Sequence, residues 1–515
     1  MWAVARALGL MRRHPRRRPP RRRIVGWLFL RALGAVYLIA FSSLRHQVLG
    51  LYGSRGIEPI AELLRKLRDR AGRDAYRLAP SLLWFGSSDR DLVRFCRAGQ
   101  VCSTALLLGV APRTMTAASW ALYLSFASVG RDFLSFQWDA LLLETSVHAA
   151  LAEARPGARD RAAARSPSWA SALLMRWLFF RLHFQSGLVK IQSHDPTWRH
   201  GTAVAHHYQT QPLPTRVGWY AFHLPRPIQV ASTAATLGIE LGAPFLAFGP
   251  RPARRTGFWI LAGFQALIAA TGNYAFFNLL TLAIAIWALD DESFTWLRRA
   301  APAGRAPRLL PGPIGILARL AHTALTGLVA AASVTTFVRR ISNRALGRAV
   351  ARVSGLLDPY RSINSYGLFA VMTTARPEIV IEGSDDGHVW REYLFRYKPS
   401  RPEDPPRWVA PYHPRLDWQM WFAALGRPPA WFPAFLERLL EGSPDVLRLL
   451  GPNPFPDHPP RYVRALLYDY RMTDLETKRR TGAWWRRKLI GTYFPTSTLA
   501  RGRRRDRASR RVAGA

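Results

Sequence analysis

The sequence predicts a polytopic α-helical membrane protein of about nine spans, followed by a C-terminal α+β domain on the extracytoplasmic side. Three observations predict it. Apolar runs of roughly spanning length alternate with arginine-rich stretches up to about residue 357. Those arginines fall in alternate loops, as the positive-inside rule requires. Near residue 358 the pattern changes to the apolar/polar alternation of strands. Bulk averages conceal all three, because apolar and charged blocks cancel to a mean hydropathy of −0.06. The formal net charge is +40, but the basic residues sit at the N-terminus, between apolar runs and in the tail, where anionic headgroups would meet them. No nucleic-acid recognition module is visible, so the expected partner is the lipid bilayer and not nucleic acid.

In chain order, residues 1–23 form a proline-broken basic tail expected to be disordered. Residues 24–43 (IVGWLFLRALGAVYLIAFSS) match the hydrocarbon thickness. A cleaved signal would have a shorter apolar core and a small-residue site, so this run reads as a retained anchor with its basic flank in the cytoplasm. The charged stretch 44–91 contains an amphipathic helix, IEPIAELLRKLRDRAG. Apolar runs then recur at 92–110, 116–129, 133–152, 171–190, 229–249, 257–271, 274–289 and 314–338. With the N-terminus inside, loops 153–170, 250–256 and 290–312 are cytoplasmic, and each is rich in arginine. The opposite side receives a long loop with only Arg199, Arg216 and Arg226. Two stretches run against the rule: 44–91, which is basic yet outside, and 339–352.

The transmembrane domain so read covers 24–357 and the C-terminal domain 358–497, with a second basic tail at 498–515. Within the C-terminal domain, residues 366–399 read as strands around the turn Ser384-Asp385-Asp386-Gly387. A proline-rich loop follows, then a helix bearing Trp418, Trp421 and Phe422, two short helices between 430 and 450, and strands at 461–472 and 484–495. Cys96 and Cys102 lie six apart on different helix faces and match no redox pair or zinc site; they read as buried structural thiols.

The chemistry concentrates in residues 183–208, HFQSGLVKIQSHDPTWRHGTAVAHHY. Lys190 reads either as a base, if burial lowers its pKa, or as a lysine snorkelling to the headgroups. His183 lies seven residues earlier, about two helical turns, so both could face one cavity; as a lone helical histidine it equally suits packing. His200, His206 and His207 invite a metal, but no HExxH-type frame accompanies them and no metal is expected. No serine elbow or phosphate-binding glycine loop is present, and no cofactor is expected. Asp139 and Glu144 project about 140° apart on a helix, so they form no obvious dyad. Structural pairing with an arginine such as Arg94, Arg97, Arg176 or Arg181 is expected, because an unpaired intramembrane charge is costly. Glu240, Gln265, Asn273 and Asn278 are expected to hydrogen-bond between helices. Trp408, Tyr412, Trp418, Trp421 and Phe422 suit either a binding surface or a domain core.

Several blocks in order resemble the lipase maturation factor family: WFGSSDRDL (84–92), FLSFQWDALLLETS (133–146), RWLFFRLHFQSGLVKIQSHDPTWRHGTAVAHHYQTQPLPT (176–215), GNYAFFNLLTLAI (272–284), NSYGLFAVMTTARPEIVIEGS (364–384) and PYHPRLDWQMWFAA (411–424). The resemblance implies a polytopic membrane protein whose C-terminal domain faces the lumen of the endoplasmic reticulum in eukaryotes, where family members help secreted lipases reach an active dimeric state. In a bacterium the equivalent place is the plasma membrane. A second, shorter resemblance joins FQSGLVKIQ…TWRHG (184–201) to vitamin K-dependent gamma-carboxylases, where a lysine three residues past a glycine is implicated as a base; Lys190 has that spacing from Gly187.

Two functions follow as expectations. The first is a membrane-embedded maturation factor that binds exported clients, such as a lipase, through Trp198, His200, His206, His207, Trp418 and Trp421. The alternative is a membrane enzyme acting on a quinone-like lipid cofactor, with Lys190 as base and His183 beside it. On this reading Lys190→Ala abolishes function in the enzyme and is mild in the client-binding protein.

Overall fold

The computed structural model describes residues 22–153, 167–297, 299, 312–342 and 355–499. Apart from residues 22–23 and 498–499, the two basic tails lie outside this set. So do Arg155, Arg159, Arg161, Arg165, Arg298, Arg305, Arg308 and most of the basic stretch 339–352.

Each of the nine apolar runs lies on a helix. Helix α1 (Arg23–Tyr52, thirty residues) is apolar on most of its circumference and is buried along its length. Its first three amide groups, those of Arg23, Ile24 and Val25, all donate to the Asp291 carboxylate at 2.9, 2.8 and 3.2 Å. A carboxylate there satisfies donors that the helix itself cannot and sits at the positive end of its dipole. Helix α2 (Ile60–Ala71) is the predicted amphipathic segment and buries only Ile60 and Leu64. Helix α3 (Asp89–Leu108) begins at a capping box made by Ser88 and Asp91. It packs tightly on α1, where a Cβ added at Gly34 would lie 2.6 Å from the Leu107 nitrogen.

The bundle continues with α4 (Pro112–Ala127), α5 (Gln137–Glu153) and α6 (Trp169–Gln192). Short α7 (Ala203–Thr210) follows, then α8 (Arg226–Gly242), α9 (Arg251–Thr271), α10 (Phe277–Ala285) and α11 (Gly312–Ser342). Among the described residues three helices are long and apolar enough to cross a membrane: Arg23–Tyr52, Arg226–Phe248 and Ile316–Ser342. The expectation of nine spans is therefore met only in part. The other runs are interrupted by Arg176, Arg181 and Lys190 in α6, or are short, as in the nine-residue α10. Helices that face protein on most sides are released from the hydropathy that lipid demands. Cys96 is buried and Cys102 half-buried, both free thiols.

The C-terminal region forms an antiparallel sheet in the order β2-β1-β3-β4, with β1 Pro377–Ser384, β2 Arg391–Tyr393, β3 Tyr462–Met472 and β4 Trp485–Ser497. The predicted turn joins β1 to β2. Asp386 accepts the amides of His388 (2.7 Å) and Val389 (2.8 Å), which hold its carboxyl down to about 2, and Gly387 supplies φ +81°. Helices α12 (Arg415–Ala424) and α13 (Trp431–Glu441) join the sheet to the bundle. A single apolar core runs from Val25 on α1 through α5 to Phe432 and Val463. Asn273, expected between helices, instead ties the bundle to this region. It donates to the carbonyls of Leu213 (3.0 Å) and Arg407 (2.8 Å) and accepts the amides of Val409 (2.7 Å) and Ala410 (2.9 Å). Gln265 and Asn278 do bond between helices, Asn278 Nδ2 to Gln265 Oε1 at 2.8 Å.

Candidate functional site

Lys190 ends α6 inside the protein. Its Nζ donates to Glu240 Oε2 (2.7 Å), to the Leu368 carbonyl (3.0 Å) and to the Ser186 carbonyl (3.1 Å), and it lies 5.2 Å from the Trp198 ring. The pair is buried on both sides. Gly187, one turn earlier, explains the approach: a Cβ there would come within 3.0 Å of Glu240 Cβ and Leu241 on α8. The glycine-to-lysine spacing thus brings α8 close enough for its carboxylate to meet the ammonium. All three ammonium donors are engaged, so the snorkelling reading is replaced by a buried ion pair. His183 has its own partners, Nδ1 on the Phe179 carbonyl (2.9 Å) and Nε2 near Gln265 Nε2 (3.4 Å).

The loop after α6 grips the chain segment 368–372. Trp198 Nε1 donates to the Phe369 carbonyl (3.1 Å). Asp195 accepts Thr197 N (2.7 Å) through one oxygen and Met372 N (2.9 Å) through the other. His207 packs its ring against Phe369, centroids 4.9 Å apart, and places Nε2 2.7 Å from the Tyr274 hydroxyl. Tyr274 donates to Gln211 Oε1 (2.9 Å), whose Nε2 is spent on the Thr271 carbonyl (2.8 Å). That order leaves His207 Nε2 as the donor to Tyr274. His200 is exposed and His206 half-buried, and the described residues contain no cluster of His, Cys, Asp or Glu able to hold a metal ion.

Residues 368–371 are also one wall of a groove of about 600 Å³ between the bundle and the C-terminal region. Phe136 and Trp138, at the start of α5, form its floor with stacked rings 4.9 Å apart. Trp418, Trp421 and Phe422 of α12 form the opposite wall, and Arg427 stands at the rim. Trp418 is buried, its ring 4.9 Å from Trp138, so it belongs to the core behind the groove as much as to its lining. Trp421 is half-buried and held by a bond from Nε1 to the Thr210 carbonyl (2.8 Å), whereas Phe422 is 47% exposed. Trp408 is exposed and outside the groove, and Tyr412 packs on Tyr397. The structure therefore splits the predicted aromatic set between core and surface.

The intramembrane carboxylates resolve differently from one another. Glu144 pairs with Arg181, as expected, and also accepts Asn364 N (2.9 Å), Asn364 Nδ2 (3.0 Å) and the Tyr366 hydroxyl (2.7 Å). Asp139 pairs with none of the arginines expected for it. Its partner is Arg415 at the start of α12, which donates Nη1 to Oδ2 and Nη2 to Oδ1, both at 2.9 Å, while Tyr123 donates to Oδ1. Arg94 pairs instead with Asp91, Arg176 bonds the Trp287 carbonyl, and Arg97 is exposed on the outer face of α3. Arg97 is thus not the partner of either carboxylate: it lies one turn beyond Arg94 and pairs with no carboxylate among the described residues. Sequence reasoning missed Arg415 and the gripped segment 368–372. A signal existed in both, since each lies within a block that carried the family resemblance.

This arrangement defines a class: a helical membrane protein whose C-terminal α+β region is fastened to the bundle by buried ion pairs around an aromatic groove. The Lipase maturation factor transmembrane domain matches residues 24–296, and the Lipase maturation factor C-terminal domain matches residues 362–495. Lipase maturation factor 2 of Xenopus tropicalis is 34% identical over 92% of this chain and 82% of its own length. The Homo sapiens protein of that name is 33% identical over 92% and 82%, and lipase maturation factor 1 of Homo sapiens 32% over 92% and 87%. The chain belongs to the lipase maturation factor family. No solved structure matches it.

Proposed function

We propose that this protein is a membrane-embedded maturation factor for exported lipases and acts by holding an apolar segment of the client in the aromatic groove. The observation that carries this reading is the groove itself. Aromatic side chains converge there from the bundle and from α12, with Phe422 and Val371 exposed at its lips. Aromatic anchors in a desolvated groove supply most of the energy in protein recognition. A factor that binds the assembly-competent state of its client better than the others shifts the population toward it without covalent chemistry. Lys190 and the loop after it then have a mechanical task, since their bonds to Leu368, Phe369 and Met372 hold one wall in place. Nothing favours the quinone-dependent alternative.

The test is a paired substitution at the exposed lip, Trp421→Ala with Phe422→Ala. It is expected to weaken client capture by about 30-fold, the effect of losing roughly 2 kcal/mol of aromatic contact. Accumulation of the protein should be little changed. The readout is the activity of co-expressed exported lipase against its total amount; full activity with the double variant would remove the groove from the function.

We further propose the nine-span topology with the C-terminal region on the extracytoplasmic face: the plasma membrane face of a bacterium, or the lumenal face of the endoplasmic reticulum. The arginine-rich loops support it. In bacterial spheroplasts a C-terminal tag is then expected to react with impermeant reagents, and labelling only after lysis would refute the orientation.

A further inference from the structure

We propose that residues 60–85 form a docking surface for anionic phospholipid headgroups, on the membrane face that carries the C-terminal region. The position follows from the end of α1. After Tyr52 the chain folds back on the last turn of that helix, with Ile57 N donating to the Gly50 carbonyl (2.9 Å) and Glu58 N to the Leu51 carbonyl (2.8 Å). Helix α2 therefore starts level with the end of the membrane-crossing helix. The same bend touches the C-terminal region, where Ser443 Oγ donates to the Arg55 carbonyl (2.7 Å) and Arg438 Nε to the Gly56 carbonyl (2.9 Å).

The chemistry follows from what this surface presents. Arg65, Lys66, Arg68, Arg70, Arg73 and Arg77 are all exposed, against three acids, Glu62, Asp69 and Asp74. Lys66 pairs with Glu62 (3.6 Å); the five arginines pair with no carboxylate among the described residues. Immediately beyond them the apolar side chains Tyr76 (50% exposed), Leu78 (59%), Leu82 and Phe85 (89%) point outward, with Tyr76 and Trp84 in ring contact at 4.7 Å. A basic strip beside an exposed aromatic and aliphatic wedge, continuous with a spanning helix, fits the boundary between headgroups and acyl chains. It also accounts for the basic character of residues 44–91, which the positive-inside rule disfavours on that side.

The test uses the full chain in nanodiscs of phosphatidylcholine alone or mixed in equal parts with phosphatidylglycerol. Hydrogen–deuterium exchange is followed across residues 60–85, with 431–441 as internal reference. Anionic discs are expected to slow exchange in 60–85 by about tenfold, an effect that high salt removes. Charge reversal of the exposed side chains, Arg65→Glu with Arg68→Glu and Arg70→Glu, is expected to abolish it while leaving the reference segment unchanged. Equal exchange in the two lipids would overturn the proposal. So would protection that survives salt and charge reversal, or protection that arises only when a client protein is added to neutral discs.

Discussion

Replacing Arg415 with methionine is expected to destabilise the protein by about 3–5 kcal/mol, a large share of the roughly 5–15 kcal/mol that holds a typical domain folded. The guanidinium is fully buried and makes two bonds to Asp139, one to the Tyr123 hydroxyl (3.0 Å) and one to the Phe133 carbonyl (2.6 Å). Methionine fills much of the volume but leaves Asp139 as an uncompensated buried carboxylate. The second substitution isolates the cause. Arg415→Met with Asp139→Leu removes both charges, and because a buried pair gains little over packed apolar groups, most of the loss should return. Thermal unfolding of the detergent-purified proteins, followed by loss of the monodisperse species, would check both. A double variant no more stable than Arg415→Met alone would show that the arginine matters for shape and not for charge.

The second large effect concerns Lys190. With Glu240 as a buried partner, Lys190→Ala is no longer expected to be mild in a client-binding protein: it strands a carboxylate and should cost a similar 3–5 kcal/mol. Loss of function in that variant alone says nothing about a base. Lys190→Met with Glu240→Gln does discriminate, because it removes both charges: what remains is the loss of the Nζ bonds to the Leu368 and Ser186 carbonyls and one neutral buried amide at 240, at about 1–3 kcal/mol for each group left short of a partner. We expect this pair to accumulate and to support lipase activation. A protein that accumulates normally yet activates no lipase would show that Lys190 does more than neutralise Glu240, through its hold on the Leu368 wall or through proton transfer.

Those two residues also mark the boundary of what a sequence can disclose. The apolar runs, the amphipathic helix at 60–71, the hairpin at 384–387 and both long C-terminal strands are local patterns, and local patterns survive in the order of residues. The Glu144–Arg181 pair was legible because both charges lie in apolar runs 37 residues apart and each needs a partner. The partner of Asp139 was not, because Arg415 is 276 residues away in a region whose composition suggests a separate water-side domain. Hydropathy supports only three of the nine expected spans for a related reason. Hydropathy reports contact with lipid, and α5 and α6 are surrounded largely by protein. Trp418 and Trp421, three residues apart on one short helix, show the limit in miniature: one turned out to be walled in by Trp138 and His413, the other left at a groove lip.

The Asp291 carboxylate that closes the start of α1 has an implication for biosynthesis. Helix and carboxylate are 267 residues apart, so at ribosomal speeds of about 5–20 residues per second the first helix waits roughly 15–50 s for its cap. During that interval its leading amides depend on water or headgroups, and the amino end has to stay at the bilayer surface. This end of α1 is thus locked only after the helices between it and Asp291 have been made.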